Sequence, residues 1–235
     1  DPSRFQTLGH MAVAQWDAML TLMKMLAEAY PQTFALDRDG TVWRWSNLAL
    51  DLEQAFVYGQ SATLPEPPLL YIGRQIQEDV VLLDQRDGAL WGDAGLVTFA
   101  ADWSLRFDVG MSFLQIHGPV PRIHAEGVIT RAQSFLMGLH AGQRYRRTNW
   151  TLTVDRRLDT ATETYPEWGR DRRLLAEGPL DDVGRRLHLR VEVQHLIRLG
   201  ASGAIMFLIR TYLLPFEEIA LVPEWADRLY RVLEE

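Results

Sequence analysis

The sequence predicts an α+β protein in which helices flank an antiparallel sheet, and three observations predict it. Two turn dipeptides, Asp39-Gly40 and Asp87-Gly88, each lie between apolar runs, so neighbouring strands should return as hairpins. Three later segments, Tyr145–Val154, Arg186–Leu196 and Ala204–Leu213, carry strand patterns. Helical spacing is confined to separate stretches that flank these, as it is when helices cover one face of a sheet.

From His10 to Tyr30 the apolar residues Met11, Val13, Met19, Leu22, Met23, Met25 and Leu26 follow helical spacing, and Pro31 stops the run. Four of the seven methionines lie here, which suits a core stripe or an adaptable binding face. Phe34 to Trp45 forms the first hairpin. Ser46 or Asn47 can cap a second helix running to about Tyr58, with Gly59 after it. Ser61 to Pro68, with three prolines, reads as a linker or lid. Glu78–Leu83 and Ala89–Phe99 make the second hairpin, and Val128–His140 a helix. The strand Arg186–Leu196 puts Leu187, Leu189, Val191 and Val193 on one face and Arg186, His188, Arg190, Glu192 and Gln194 on the other. The first face is expected in the core, and the second in solvent or over a ligand pocket. Ala204–Leu213 is apolar on both faces and so expected to be buried on both. Pro223 opens a terminal helix to about Leu233. With 235 residues and no internal repeat, we expect one domain over 1–235, with an N-terminal helical extension over about 1–60.

Hydrophobic residues make up 47% and charged residues 23%, a composition that folds. No apolar run approaches the ~18 residues of a membrane span, and Asp1-Pro2-Ser3-Arg4 lacks signal-peptide features, so a soluble cytoplasmic protein without a membrane partner is expected. The absence of cysteine excludes disulfides, iron–sulfur ligation and thiolate-ligated haem. A net charge of −7 argues against nucleic acid as a partner. Lys24 is the only lysine, which sets aside Schiff-base chemistry.

Among residues that could carry chemistry, His117 lies in Gln115-Ile116-His117-Gly118-Pro119-Val120-Pro121, where prolines and apolar neighbours would hold an imidazole at a defined angle. A structural histidine in a proline-rich loop and an axial ligand to haem iron are both open on this pattern. Arg210 ends an apolar run, as a strand-end charge or a partner for a buried carboxylate, with Glu192 the natural candidate. Arg144, Arg146 and Arg147 precede Asn149-Trp150 and could hold propionates or phosphates, or form a solvated strand end. The other histidines carry weaker patterns. His10 starts a helix, His124 and His140 look peripheral, His188 and His195 lie on opposite faces of one strand, and no pair has zinc-site spacing.

Five segments occur in one order: Gln77-Glu78-Asp79-Val80-Val81-Leu82-Leu83, Ile116-His117-Gly118-Pro119-Val120-Pro121, Arg147-Thr148-Asn149-Trp150, Arg190-Val191-Glu192-Val193-Gln194, and Ser202-Gly203-Ala204-Ile205 through Ile209-Arg210-Thr211-Tyr212. Together they resemble the haem-dependent oxidative N-demethylase alpha-subunit family. The resemblance implies a PAS-like antiparallel sheet holding a b-type haem. The implied activity is oxygen-dependent demethylation of a small secondary amine such as dimethylamine, with electrons from NADPH through partner subunits bearing flavin and an iron–sulfur cluster. On this reading His117 is the metal ligand, and Arg147, Asn149, Trp150 and Arg190 contact the cofactor. Glu192, Arg210 and Tyr212 are then catalytic, with Glu192 polarising the substrate ammonium. A haem-binding gas or small-molecule sensor, or an interaction domain without haem, is compatible with the same scaffold. The chain departs from the family pattern at Phe99-Ala100-Ala101-Asp102-Trp103, in place of a Phe-Pro-Ser-x-x-Trp type segment, and lacks a basic residue before Gly110. Both departures fall just upstream of His117.

Overall fold

A computed structural model describes residues 1–120, 126–178 and 182–234. In chain order it contains β1 (Phe5–Thr7), α1 (Ala12–Ala29), β2 (Phe34–Asp39), β3 (Val42–Asn47), β4 (Leu52–Val57), α2 (Pro68–Gly73), β5 (Asp79–Arg86), β6 (Ala89–Leu96), α3 (Leu105–Asp108), α4 (Phe113–Ile116), α5 (Val128–Met137), β7 (Arg144–Val154), α6 (Tyr165–Glu177), α7 (Val183–Arg186), β8 (Leu187–Arg198), β9 (Ile205–Pro215), α8 (Phe216–Ile219) and α9 (Pro223–Glu234). Six strands form a curled antiparallel sheet in the order β1-β6-β5-β9-β8-β7, and β2-β3-β4 form a second sheet. The α+β class and its flanking helices are as expected.

Both hairpins form where the dipeptides predict. In the second, Arg86 pairs with Ala89, and Asp87 and Gly88 both hold positive φ, the backbone twist that suits a two-residue hairpin turn. The segment read as a second helix is instead strand β4. Asn47 does cap, its side chain accepting from the Ala49 N–H, but only a single 3₁₀ turn follows before Asp51 turns left-handed at φ 50°. Leu52, Gln54 and Phe56 then alternate inward and pair with Asn47, Trp45 and Trp43 of β3. The segment read as a linker, Ser61 to Pro68, holds only a 3₁₀ turn at Ser61–Thr63 before Pro68 opens α2 in its first turn, where its missing N–H costs nothing. Helix α6 had no counterpart in the sequence reading. Its face is mostly charged, with Trp168 and Leu175 its large buried anchors.

Contacts divide the described residues into two compact units. Unit 1 comprises 1–97, 105–145 and 195–208. Its core joins Met11, Trp16, Met19 and Met23 to Trp45, Phe56, Leu69, Ile72, Leu82 and Met206. The methionine-rich helix is therefore a core stripe, although Val13 on the same helix faces solvent. Asp17 of α1 accepts from Ala201 N, Ser202 N and Ser202 Oγ at 2.7–3.0 Å, pinning the β8–β9 turn. The stretch 1–60, expected as a helical extension, holds β1 and the whole second sheet in addition to α1.

Unit 2 comprises 98–104, 146–194 and 209–235. Here one expectation reverses. On β8 the buried row is His188, Arg190, Glu192 and Gln194, whereas Leu187, Leu189, Val191 and Val193 are only half-buried. The alternation was legible, but the polar row points inward because the chain supplies it with internal partners.

Candidate functional site

Arg190 is the centre of that row. It is 1% exposed. Its Nε donates to Glu192 Oε1 at 3.3 Å, Nη1 to the Leu158 carbonyl, and Nη2 to the Phe99 carbonyl and to Thr211 Oγ1 at 3.2 Å. Four of its five N–H groups are thereby used. Glu192 completes its shell through Oε2, which accepts from Gln194 Nε2 at 2.9 Å. The carboxylate partner expected for Arg210 is thus bound by Arg190 instead. A buried guanidinium survives because it is paired and hydrogen-bonded throughout, and in this position it clamps the segments carrying Phe99 and Leu158 to β8 and β9.

The Phe99 segment also contains the departures from the family pattern. Ala100 is buried, Asp102 holds φ 61°, and Asp102 N donates to Thr160 O while Thr160 N donates to Ala100 O. Asp102 accepts from Arg172 at 2.8 Å, and Arg172 lies over the Trp168 ring at 5.0 Å. The acidic residue at this position is therefore tied to α6.

Elsewhere in unit 2, Arg147 is exposed, Asn149 half-buried and Trp150 44% exposed, all on the sheet-edge strand β7. On β9 Arg210 stacks over Tyr212 at 5.6 Å, and Tyr212 is exposed.

His117 belongs to unit 1. A capping box fixes α4 before it, with Ser112 Oγ accepting from Gln115 N and Gln115 Oε1 accepting from Ser112 N. His117 forms the C-cap. Its ring packs against Phe113 at 4.4 Å, and Nδ1 lies 2.8 Å from the Phe113 carbonyl oxygen. Since a carbonyl only accepts, Nδ1 carries the proton in this contact. This is how protein scaffolds orient an imidazole for a metal. Pro121 and His124 lie outside the described residues.

The structure also gathers residues that no spacing announced. His10, Asp84 and Asp93 place one donor atom each within 4.8 Å of one another, though they lie far apart in the chain.

Taken with the fold, these features define an α+β protein with a histidine anchored on a short capped helix and a second unit organised by a buried arginine. The chain belongs to the family described as haem-dependent oxidative N-demethylase, alpha subunit-like, whose profile matches residues 2–235. The family description carries haem dependence and a place in a multi-subunit enzyme. Among the described residues, no helix is long and apolar enough to cross a membrane.

Proposed function

We propose that this chain is the haem-binding subunit of an oxidative N-demethylase that acts on a small secondary amine such as dimethylamine, with O₂ as co-substrate. The observation that carries the reading is the match of residues 2–235 to the family, and within it His117, whose Nδ1–H donates to the Phe113 carbonyl, is our candidate ligand for iron. When bound, a b-type haem supplies the O₂ activation needed to oxidise an N-methyl carbon.

The other candidate residues differ in environment. Arg190 and Glu192 spend their charges on each other and on internal oxygens, so they position unit 2 rather than contact a propionate or an ammonium. Arg147, Asn149 and Trp150 stay our candidates for cofactor contact, and Arg210 and Tyr212 our candidates on the substrate side. Electrons come from NADPH through flavin and iron–sulfur partner subunits in the cytoplasm. A chain without cysteine leaves the thiolate ligands of such a cluster to another subunit.

The test is a visible spectrum of the purified protein. A Soret band that shifts with dimethylamine, together with formaldehyde release when the protein is reduced under O₂, supports the enzyme. A band indifferent to amines points to a sensor, and no band at all removes the cofactor. Replacing His117 by Ala should abolish or strongly shift the band, and an unchanged band defeats the ligand assignment.

A further inference from the structure

We propose that His10, Asp84 and Asp93 form a binding site for a divalent transition-metal ion of the Zn²⁺ type, in which the Arg86 guanidinium occupies the cation position when no ion is bound. The site uses none of the residues assigned to haem.

Its geometry follows from an irregularity in the β5–β6 hairpin. Leu82 pairs with Ala94 but Leu83 pairs with Gly92, which leaves Asp93 as the extra residue of a β-bulge. Bulges re-aim side chains, and this one turns a carboxylate inward beside Asp84. Leu8 N donates to the Asp93 carbonyl at 2.9 Å, and this bond holds the following 3₁₀ turn, Gly9–Met11, against the bulge. His10 is delivered by that turn. Its Nε2 lies 2.9 Å from Asp93 Oδ2 and 3.7 Å from Asp84 Oδ2.

Arg86 marks where a cation belongs. One atom, Nη1, donates to Asp84 Oδ2 at 2.8 Å and to Asp93 Oδ2, and approaches His10 Nε2 at 3.5 Å. A single nitrogen therefore stands among all three donors. Even so, one guanidinium leaves the cluster deficient. Two carboxylates face one positive charge, the Asp93 side chain is 0% exposed, and Asp93 Oδ1 is buried with no hydrogen-bond partner among the described residues. A buried carboxylate oxygen without a partner is costly, and a divalent ion supplies both the missing charge and a bond to that carboxylate. Arg86 can yield. Its side chain is 34% exposed and lies over the Trp91 ring at 4.7 Å, a surface along which it can withdraw and keep its cation–π contact.

The donor set selects the ion. One imidazole nitrogen with two carboxylates suits Zn²⁺, Mn²⁺ or Fe²⁺, whereas Mg²⁺ and Ca²⁺ favour oxygen ligands throughout. His10 is half-exposed, so an ion can reach the site.

The experiment titrates the full-length protein with ZnCl₂ against a chromophoric chelator, with MgCl₂ in parallel, and follows thermal unfolding in the same samples. Wild type should bind one Zn²⁺ that Mg²⁺ does not displace. His10→Ala, which changes a half-exposed side chain, should lose that equivalent while keeping its metal-free unfolding temperature. Arg86→Gln removes the resident charge but keeps a hydrogen-bond donor, and should bind Zn²⁺ more tightly by about ten-fold or more, since a unit charge a few ångströms away opposes the ion. Zn²⁺ should also raise the unfolding temperature of Arg86→Gln more than that of wild type. Undiminished stoichiometry in His10→Ala, or equal or weaker binding in Arg86→Gln, overturns the proposal and leaves the cluster a structural ion pair.

Discussion

Replacing Arg190 by Met tests whether unit 2 depends on a buried clamp. Met has a similar stem but no donor, so the substitution removes four hydrogen bonds at once, to Glu192, Leu158 O, Phe99 O and Thr211. Glu192, 8% exposed, keeps only Gln194 as a partner among the described residues, and two backbone carbonyls lose the Arg190 donor. Removing one member of a buried ion pair costs about 3–5 kcal/mol, mainly because the other charge is stranded. At about 2–4 °C per kcal/mol for a chain of this size, the unfolding midpoint should fall by roughly 6–20 °C. Adding Glu192→Gln removes the stranded charge, so the double variant should recover part of the loss, with a coupling of about 0.5–3 kcal/mol. Urea denaturation followed by tryptophan fluorescence and far-UV circular dichroism reads all three variants, and haem titration of each provides the contrast. The clamp reading fails if Arg190→Met unfolds within about 0.5 kcal/mol of wild type, the range of ordinary surface substitutions, while haem affinity drops. That result would return Arg190 to the cofactor.

Three further outcomes follow from local geometry. Tyr58 has a buried hydroxyl with no hydrogen-bond partner among the described residues, and burial together with the nearby Asp17 pushes its phenol pKa up. In the unfolded chain the phenol ionises first, so this contribution to stability is present below pH ~10 and is lost as pH rises through the folded-state value. Tyr58→Phe should be within about 1 kcal/mol of wild type at pH 7 and less sensitive to alkali, as urea midpoints between pH 8 and 11 would show. Gly88→Ala should cost about 1–2 kcal/mol in the same assay, because φ is +71° and no neighbour lies near an added Cβ, so backbone strain alone acts. Deleting 223–235 should leave the unfolding free energy within about 1 kcal/mol of wild type, since α9 has no buried residue; a larger loss would mean that the helix is held by contacts its exposure does not reveal.

What the sequence made legible was mostly periodicity and punctuation. The hairpin at Asp87-Gly88, the stop at Pro31 and the long strands follow from local chemistry that acts alike in any context. The errors arose where two local signals competed. At 47–58 a good N-cap, Asn47, outweighed the inward alternation of Leu52, Gln54 and Phe56, and pairing with Trp43 and Trp45, which is not local, decided for strand. Helix α6 escaped because its apolar content is two anchors in a charged segment, too thin a stripe to register as a period. The cluster at His10 was invisible for a different reason: its members come from a 3₁₀ turn and two paired strands, and only strand register joins them.

The inverted strand β8 carries the broader point about site residues. Period-two alternation states which side chains share a face, but says nothing about which face the rest of the chain covers. The deciding quantity is where donors and acceptors find partners. The apolar row Leu187, Leu189, Val191 and Val193 would lose little by being half-exposed, because single exposed apolar side chains are ordinary. The polar row could be buried only if a guanidinium were met by several oxygens at once, and the carbonyls of Phe99 and Leu158 with Thr211 and Glu192 provide them. An Arg-x-Glu-x-Gln signature can therefore mark a condition for folding rather than ligand contact. His117, by contrast, is fixed by one bond between Nδ1 and a carbonyl of its own helix, and its candidacy as a ligand rests on the family match rather than on its burial.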